Sequence, residues 1–404
     1  MNSAISTFNV RPSERQPALS AIRNLKMARS AHAYVRGSTI KFYEWLDSSA
    51  KATIPDGPAV WICGDCHFGN LGPIANKNGK VNILIRDFDQ AVIGNPAHDL
   101  IRLALSLSMA ARSSDLPGVT TAKMMEELTL GYAEAFGPEN DDSDVTLGKP
   151  QAVQLVLKEA LRRTWRDLAS ERLELNPLAL PLGRRFWKAS KSEFTEIQTL
   201  VKSDLIRDLV TRLKQRESDA QVDLLDAAYW MKGCSSLGLL RYAAVLDVGK
   251  TASKGADLCL IDFKEATKAI APRRIDARMP RDNAKRVAEG ALHLSPYIGK
   301  RITATRLMGR SVFVRELLPQ DLKLEIAQVT QAQAIKAAGY LAAVVGRAHA
   351  RQMDEPTKRA WRAELTRRRS SSLNAPSWLW TSVVELVGIH ERAYLEHCRL
   401  RAFA

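Results

Sequence analysis

Residues 61–72, WICGDCHFGNLG, place two cysteines, an aspartate, a histidine and an asparagine in one short stretch of chain. Apolar segments of strand length flank it, AVWICGD on one side and KVNILIRDF on the other. The stretch is therefore predicted to be a loop between two short strands, where its polar side chains are presented together.

The cysteines of this loop offer one chemistry, because Cys63 and Cys66 have C-x-x-C spacing and His67 follows them. A closed zinc site needs four ligands, however, and no second close cysteine pair occurs in the sequence. A redox pair would begin a helix in a thioredoxin-like pattern, which is absent. We therefore expect Cys63 and Cys66 to be small buried side chains.

The carboxylate and amide side chains offer a second chemistry. Asp65 and Asn70 lie in the loop, and Asp87 follows the next predicted strand in IRDFDQA. A hydroxyl that attacks phosphorus needs a carboxylate to orient it, and Mg²⁺ on nucleotide phosphates needs hard oxygen ligands. Gly64 and Gly69 allow the backbone to turn tightly around this set. Asp65, Asn70 and Asp87 together supply such a set, and the carbonyl oxygen of Asn70 can bind a metal without adding a charge. For Asp65 and Asp87, ordinary turn residues are the alternative.

Outward from the loop, the patterns predict an α+β fold in three regions. Region 1–231 begins with helical spacing at 27–47, continues through the loop, and then becomes mainly helical, including the stretch 190–231. Region 232–325 reads as a small antiparallel sheet with one helix at 281–294 and a turn at Gly309. Region 326–404 is helical again, and 366–377 is the most linker-like stretch.

Charge and composition set limits on the class of protein. The chain has 404 residues, 46% hydrophobic residues and a net charge of +15, with Lys and Arg clustered at 162–168, 183–188, 271–286 and 358–372. Such clusters favour polyanionic partners such as nucleotides, phosphorylated substrates or nucleic acid, although charge runs are usually solvated helix faces. No secretory signal and no membrane-length apolar run is present. We therefore expect a cytoplasmic protein without a membrane span.

The segments GDCHFGNLG and IRDFDQAVIGNPAHDLIRLA resemble the catalytic segment of the aminoglycoside and choline kinase branch of the protein-kinase-like fold. That branch carries G-D-x-H-x-x-N followed by I-D-F-x-x-A-x-x-G-x-P-x-x-D-L. The resemblance implies that Asp65 is the catalytic base and that Asn70 and Asp87 bind Mg²⁺. It also implies that Asp99 is a buried carboxylate that braces the catalytic loop.

The other kinase-like parts occur later in the chain than they do in that branch. KGCSSLGLLRYAAVLDV resembles a glycine-rich phosphate loop between two strands, and the phosphate-binding residues implied are Gly233, Ser235, Ser236 and Gly238. Serines between the glycines, and the lack of a following Lys-Ser/Thr, set this loop apart from a P-loop. Serine hydroxyls and backbone N–H groups can nevertheless hold phosphate.

The nucleotide-gripping residues also follow from the resemblance. Lys264 resembles the lysine of the third strand, with a surface lysine as the plain alternative, and Glu289 falls on the next helix, where its partner belongs. The segment SVFVREL, which contains Glu316, resembles the strand that leads into the hinge between the two lobes. GRAHAR resembles the helix that precedes the catalytic loop in that branch, but here it lies near the C-terminus. The resemblance therefore implies a circularly permuted, two-lobed kinase-like fold, with a small sheet lobe and a larger helical lobe.

One bacterial family shows the same blocks in this order, the domain-of-unknown-function 2252 family. Its blocks are similar here to MARSAHAYVRG, CGDCHFGNLG, GCSSLGLLRY, FKEA and GRAHAR. Together these resemblances imply an ATP- and Mg²⁺-dependent phosphotransferase with an unidentified hydroxyl acceptor, either a small molecule or a protein. The alternatives are AMP transfer in the same cleft and a non-catalytic nucleotide-binding scaffold with a basic surface.

Overall fold

The structure, a computed structural model, describes residues 10–48, 54–137, 148–173, 178–212, 216–249, 258–322, 330–367 and 373–402. The segment GKTASKGA at 249–256, whose composition predicts a turn between two strands, falls mostly outside these ranges, and the linker-like stretch at 366–377 falls partly outside them. The described chain mixes helices and strands, which confirms an α+β fold.

The first part of the chain forms three helices and four short strands. They are α1 (Arg15–Ala28), α2 (Ala31–Gly37), α3 (Thr39–Asp47), β1 (Val60–Ile62), β2 (Leu71–Ala75), β3 (Val81–Ile85) and β4 (Val92–Gly94). β1 pairs with β4 and β2 pairs with β3, both antiparallel. The strands predicted in AVWICGD and KVNILIRDF are confirmed as β1 and β3, whereas β2, which was not predicted, begins at the end of the loop and joins it to β3.

A helical segment follows, and it leads into the first strands of a larger sheet. Its elements are α4 (Pro96–Ser113), α5 (Gly118–Glu134), α6 (Gln151–Arg162), α7 (Trp165–Leu173), β5 (Phe186–Lys188), α8 (Lys191–Val201), α9 (Asp204–Val210) and β6 (Val222–Trp230). α4 starts sharply because the Asn95 side chain accepts a hydrogen bond from the Ala97 N–H and Pro96 occupies the first helical turn.

The remaining elements complete the sheet and return to helix. They are β7 (Arg241–Val248), β8 (Leu258–Glu265), α10 (Asn283–Leu294), β9 (Ile302–Leu307), β10 (Arg310–Leu317), α11 (Gln331–Ala350), α12 (Glu355–Thr366) and α13 (Ser377–His397). The six-stranded sheet is antiparallel in the order β5-β6-β7-β8-β10-β9. Met308 and Gly309 form the tight turn between β9 and β10 with φ of 51° and 70°, as the glycine there predicted.

The sheet begins earlier than the sequence pattern indicated. Helical spacing was expected across 190–231, but helix ends at Val210 and Val222–Trp230 is a strand. Short apolar runs such as VDLLDAAYW fit either structure, and here pairing with β7 over the length of β6 selects the strand. β5 and β6 therefore place part of the sheet inside the region 1–231, ahead of the boundary expected at 232.

Two large hydrophobic clusters form the core of the described chain, one in the helical part and one against the six-stranded sheet. The larger one packs α4, α5 and α11 against β1–β4, and it includes a crossing where a Cβ on Gly131 would lie 2.1 Å from the Gly339 carbonyl oxygen. The second covers one face of the six-stranded sheet with α1, α8 and α9. Among the described helices, none combines the length and apolarity that a bilayer crossing requires.

Candidate functional site

The loop between β1 and β2 is held in a conformation that requires glycine. Gly64 has a φ of 72°, and a Cβ at this position would lie 2.2 Å from the Gln90 carbonyl oxygen. Residues 68–70 then form a single 3₁₀ turn that leads into β2. Because the loop presses directly on the backbone near Gln90, the segment bearing Asp65 lies beside the segment bearing Asp87.

A buried carboxylate fixes the start of this loop. Asp99, which is fully buried on α4, accepts hydrogen bonds from the Cys63 N–H at 2.6 Å and the Gly64 N–H at 2.9 Å. His349 of α11 contacts the same carboxylate through Nε2 at 3.2 Å, and its Nδ1 lies 2.8 Å from the Tyr132 hydroxyl. Asp99 therefore braces the loop, as the resemblance implied, and the brace continues into the C-terminal helices.

Asp65 lies at the wall of a cleft with both carboxylate oxygens engaged. Oδ1 accepts from Arg102 Nε at 2.8 Å, and Oδ2 accepts from the Thr39 hydroxyl at 2.8 Å. Asn70 donates from Nδ2 to the Asp65 carbonyl at 2.9 Å, so its amide oxygen is not used in that bond. These contacts fix both side chains at the cleft wall, where each retains oxygen lone pairs for further partners.

Across the cleft, Lys264 of β8 meets two carboxylates that follow β3. Lys264 Nζ is 3.5 Å from Asp87 Oδ1 and also forms an ion pair with Asp89. The lysine side chain is buried, whereas about 41% of the Asp87 side-chain surface remains exposed to the cleft. The sequence-predicted residues Lys264 and Asp87 are thus in contact although 177 positions separate them.

The charges of this cluster change the proton affinities of its members. Burial would raise the pKa of Asp87, but the charges of Lys264 and Arg241 outweigh it and lower the pKa below its usual value. Burial and the charge of Asp87 together raise the pKa of Asp89 to about 6. Burial would lower the pKa of Lys264, yet the two carboxylates raise it. Lys264 and Asp87 are therefore both charged at neutral pH.

The loop between β6 and β7 lies over the same cleft. Gly233 and Gly238 have φ values of 101° and 106°, which L side chains rarely adopt, and Ser235 and Ser236 face the cavity. Lys26 of α1 donates to the Gly233 carbonyl at 3.1 Å, so α1 holds the loop from outside. The structure thus brings this loop to the cleft that also contains Asp65 and Asp87.

The cleft has two adjoining cavities that share Asn70 and Asp87. The first, of about 290 Å³, also reaches Asp65 and the serines of the β6–β7 loop. The second, of about 180 Å³, also reaches Lys264 and the end of β10 at Leu317. A buried ion pair between Arg241 and Asp262, on paired strands, supports the floor of the second cavity.

Two predicted site residues do not join this cluster. Glu289 lies on α10, but the carboxylates that pair with Lys264 are Asp87 and Asp89. Glu316 is buried on β10 and forms an ion pair with Arg216 at 2.7 Å. Burial raises the pKa of Glu316 although Arg216 acts in the opposite direction. In this structure Glu316 therefore fastens the end of β10 to Arg216.

Other residues of the site were missed in the sequence. Asp89 could have been found in the pair of aspartates of DFD, where a second acidic side chain directly follows the expected metal ligand. Thr39 and Arg102 carry no spacing signal, since they reach Asp65 from two different helices. Cys63 and Cys66 are buried free thiols, and their mutual hydrogen bond together with burial raises the pKa of Cys63.

Any metal at this site would need oxygen ligands from a substrate. Within the ranges that the structure describes, no group of three or more His, Cys, Asp or Glu side chains is arranged to hold a metal ion. Asp87 and the free amide oxygen of Asn70 supply one carboxylate and one carbonyl at the cavity wall. This donor set suits Mg²⁺, which uses few protein ligands and completes its shell with phosphate oxygens and water.

The fold and the cleft define a mixed α and β protein with a polar cavity between its sheet and its helical part. A model of the family described as "Uncharacterized protein conserved in bacteria (DUF2252)" matches residues 15–400. Because this match spans nearly the whole chain, the chain belongs to that family. No curated protein and no solved structure matches the chain.

Proposed function

We propose that the chain is an ATP- and Mg²⁺-dependent phosphotransferase with a two-lobed, circularly permuted protein-kinase-like fold, acting on a hydroxyl acceptor in the cytoplasm. One observation supports this proposal above the others. Lys264 and Asp87 meet across a cleft that also contains Asp65, Asn70 and the β6–β7 loop. Kinase-like catalysis needs this set in one place, namely a cation for phosphates, metal ligands and a carboxylate for the attacking hydroxyl.

The order of the sheet elements supports the kinase-like part of the proposal. Counted from β6, Lys264 lies on the third strand, and α10 follows that strand directly, as the lysine strand and its helix do in kinases. The loop with positive-φ glycines connects the first and second of these strands. The catalytic-loop segment precedes the sheet in sequence but faces it in space, which is the arrangement expected of a permuted chain.

In the proposed reaction, the acceptor hydroxyl oxygen attacks the γ-phosphorus of ATP. The bond between that phosphorus and the bridging oxygen breaks, ADP leaves, and the hydroxyl proton passes by way of Asp65 to solvent. Asp65 is held by Arg102 and Thr39, so it is suited to orienting the hydroxyl. Mg²⁺ held by Asn70 and Asp87 would neutralise charge on the β and γ phosphates, and Lys264 would bind the α and β phosphates.

The test uses ATP labelled at either the α or the γ phosphate, incubated with the protein and a bacterial metabolite extract. We expect a Mg²⁺-dependent transfer of the γ label together with release of ADP. The isosteric variant Asp65→Asn should lose roughly 10²–10⁴-fold in rate, and Asp87→Asn should lose the response to Mg²⁺. Asp56→Asn is the matched control, because that carboxylate lies at the surface with about 81% of its side chain exposed.

Three outcomes would contradict the proposal. Transfer of the α label would show adenylylation in the same cleft instead of phosphorylation. Binding of Mg-ATP without any transfer would indicate a nucleotide-binding scaffold. Wild-type rates in both Asp65→Asn and Asp87→Asn would show that the chemistry lies elsewhere in the molecule.

A further inference from the structure

One cation at the cleft, Arg36, forms no ion pair with the residues that the structure describes. Arg36 of α2 lines the second cavity beside Asn70, Asp87 and Lys264. Its guanidinium packs against the catalytic loop, since a Cβ on Gly69 would lie 3.2 Å from both Cζ and Nε of Arg36. Within the described part of the chain, Arg36 has no hydrogen-bond or ion-pair partner, and its Nε is buried without one.

The other arginines of this cavity are already committed. Arg241 is paired with Asp262, and Arg315 with Asp321. Arg86 donates to the carbonyl groups of Asp321 and Leu322. These contacts hold the cavity walls together, so they do not leave the guanidinium groups available for a ligand. Arg36 lines the same cavity as these three arginines, but its guanidinium forms no such contact within the described residues and can therefore bind a ligand.

Two buried nitrogen atoms of nearby side chains also have no partner among the described residues. His67 is about 95% buried and its Nδ1 has no hydrogen-bond partner among the described residues, and the same holds for Nη1 of the buried Arg102. Burial, followed by the charges of Arg36 and Arg102, lowers the pKa of His32 to about 4 and also lowers the pKa of His67. Burial is the main cause of both shifts, and the positive charges of Arg36 and Arg102 add to it; an anion bound here would offset those charges.

The order of groups along the cleft indicates which anion. In the proposed function, Lys264 holds the inner phosphates, Asn70 and Asp87 hold the metal that bridges the outer two, and Asp65 marks the attack position. Arg36 lies against Gly69, on the same loop as Asp65 and adjacent to Asn70. A guanidinium there reaches the terminal phosphate, and its planar fork matches phosphate oxygens in bidentate fashion.

We infer that Arg36 is a phosphate-binding residue that grips the terminal, transferred phosphoryl group of the nucleotide, supplied in cis by α2. This inference rests on the proposed function and adds a residue to it. Gly69 is the glycine that lets the guanidinium approach the loop. The role explains why an arginine without a protein partner is placed at a cavity that already holds several cations.

The test compares two ligands by isothermal titration calorimetry with the full chain and Mg²⁺, namely ADP and the non-hydrolysable β,γ-methylene analogue of ATP. Arg36→Ala should weaken binding of the analogue by roughly 10- to 100-fold, while ADP affinity changes less than about threefold. Arg36→Lys, which keeps the charge but loses the fork, should fall between Arg36→Ala and the wild type. Arg29→Ala is the matched control, because Arg29 is exposed at the end of α1 and lines neither cavity.

The outcomes separate this inference from the proposed function. Equal weakening of both ligands, or of neither, in Arg36→Ala and Arg36→Lys would overturn the role of Arg36 while leaving the nucleotide site intact. Failure of the wild-type protein to bind either ligand would overturn the proposed function, and the inference would fall with it. Gly69→Ala provides an independent arm, because its Cβ should displace the guanidinium and reproduce the selective loss of analogue binding.

Discussion

Replacing Asp99 by Asn should loosen the β1–β2 loop while leaving the shape of the side chain unchanged. The carboxylate accepts from two buried backbone N–H groups and from His349, using both oxygens. An Asn side chain has one acceptor oxygen, so its NH₂ group would face a backbone N–H or the imidazole. One charge-assisted hydrogen bond is lost and one buried donor is left unpaired, and each of these costs about 1.5–3 kcal/mol.

The combined loss is therefore about 3–6 kcal/mol, a large part of the 5–15 kcal/mol that typically separates folded from unfolded chains. Urea unfolding followed by tryptophan fluorescence should show a midpoint lowered by roughly 1 M or more for Asp99→Asn. Hydrogen exchange measured by mass spectrometry on a peptide covering residues 61–72 should show faster exchange at the Cys63 and Gly64 amides. The exchange measurement shows which part of the chain has lost protection, and the urea midpoint gives the loss of unfolding free energy.

Two controls make the Asp99 experiment decisive. Asp56→Asn removes a carboxylate from an exposed ion pair with Arg274, and it should change the unfolding free energy by less than about 0.5 kcal/mol. Tyr132→Phe removes the outer hydrogen bond to His349 together with the bond that Trp361 Nε1 donates to the same hydroxyl, and it should cost about 1–3 kcal/mol. If Asp99→Asn unfolds at the wild-type midpoint with unchanged protection of residues 61–72, the bracing role argued for Asp99 is refuted.

The remaining predictions concern charge and helix packing. The pKa of Asp89 is about 6 in the folded protein and about 3.8 in the unfolded chain, so the folded protein binds the proton more tightly. The contribution of Asp89 to the free energy of unfolding is therefore greatest below pH 4 and is lost as the pH rises to about 7. Asp89→Asn should therefore gain roughly 1–3 kcal/mol relative to wild type between pH 4 and pH 7, measured by urea unfolding in the absence of metal, and a pH-independent difference would count against the shift. Gly131→Ala should lower the melting temperature sharply, because its Cβ would lie 2.1 Å from a backbone oxygen of α11, whereas Gly388→Ala on the open surface of α13 should stabilise by up to about 1 kcal/mol. Equal melting temperatures for the two glycine variants would mean that the α5–α11 crossing is not as close as described.

The features of the fold and the site that could be predicted from the sequence are those that depend on a short run of neighbouring residues. Strand-like segments around the 61–72 loop, the Gly309 turn and the succession of β7, β8, α10, β9 and β10 each follow from a short run of residues. The boundary near β6 did not, because VDLLDAAYW suits either structure until β7 is beside it. Tertiary pairing decided that element.

The candidate site shows the same division. Asp65, Asn70 and Asp87 could be chosen from one motif, and Lys264 from another, since each motif carries its own spacing. The partner of Lys264 could not, because helix order pointed to Glu289 while the approach of the β3–β4 segment to β8 brought Asp87 and Asp89 instead. Contacts between distant segments depend on how the sheet and the loops pack, and the spacing of residues within one motif does not indicate which other segment will lie beside it.

The hydrogen bond between Asp99 and His349 also has a consequence for synthesis of the chain. The two residues are 250 positions apart, so a ribosome working at about 5–20 residues per second makes Asp99 roughly 10–50 s before it reaches His349. Throughout that interval the nascent chain would carry the Asp65 segment and Asp99 without the hydrogen bond from His349. The cleft should consequently reach its final form only after translation is nearly complete, and a message truncated before α11 should yield a product in which Asp99 still bonds the β1–β2 loop but lacks the support of His349.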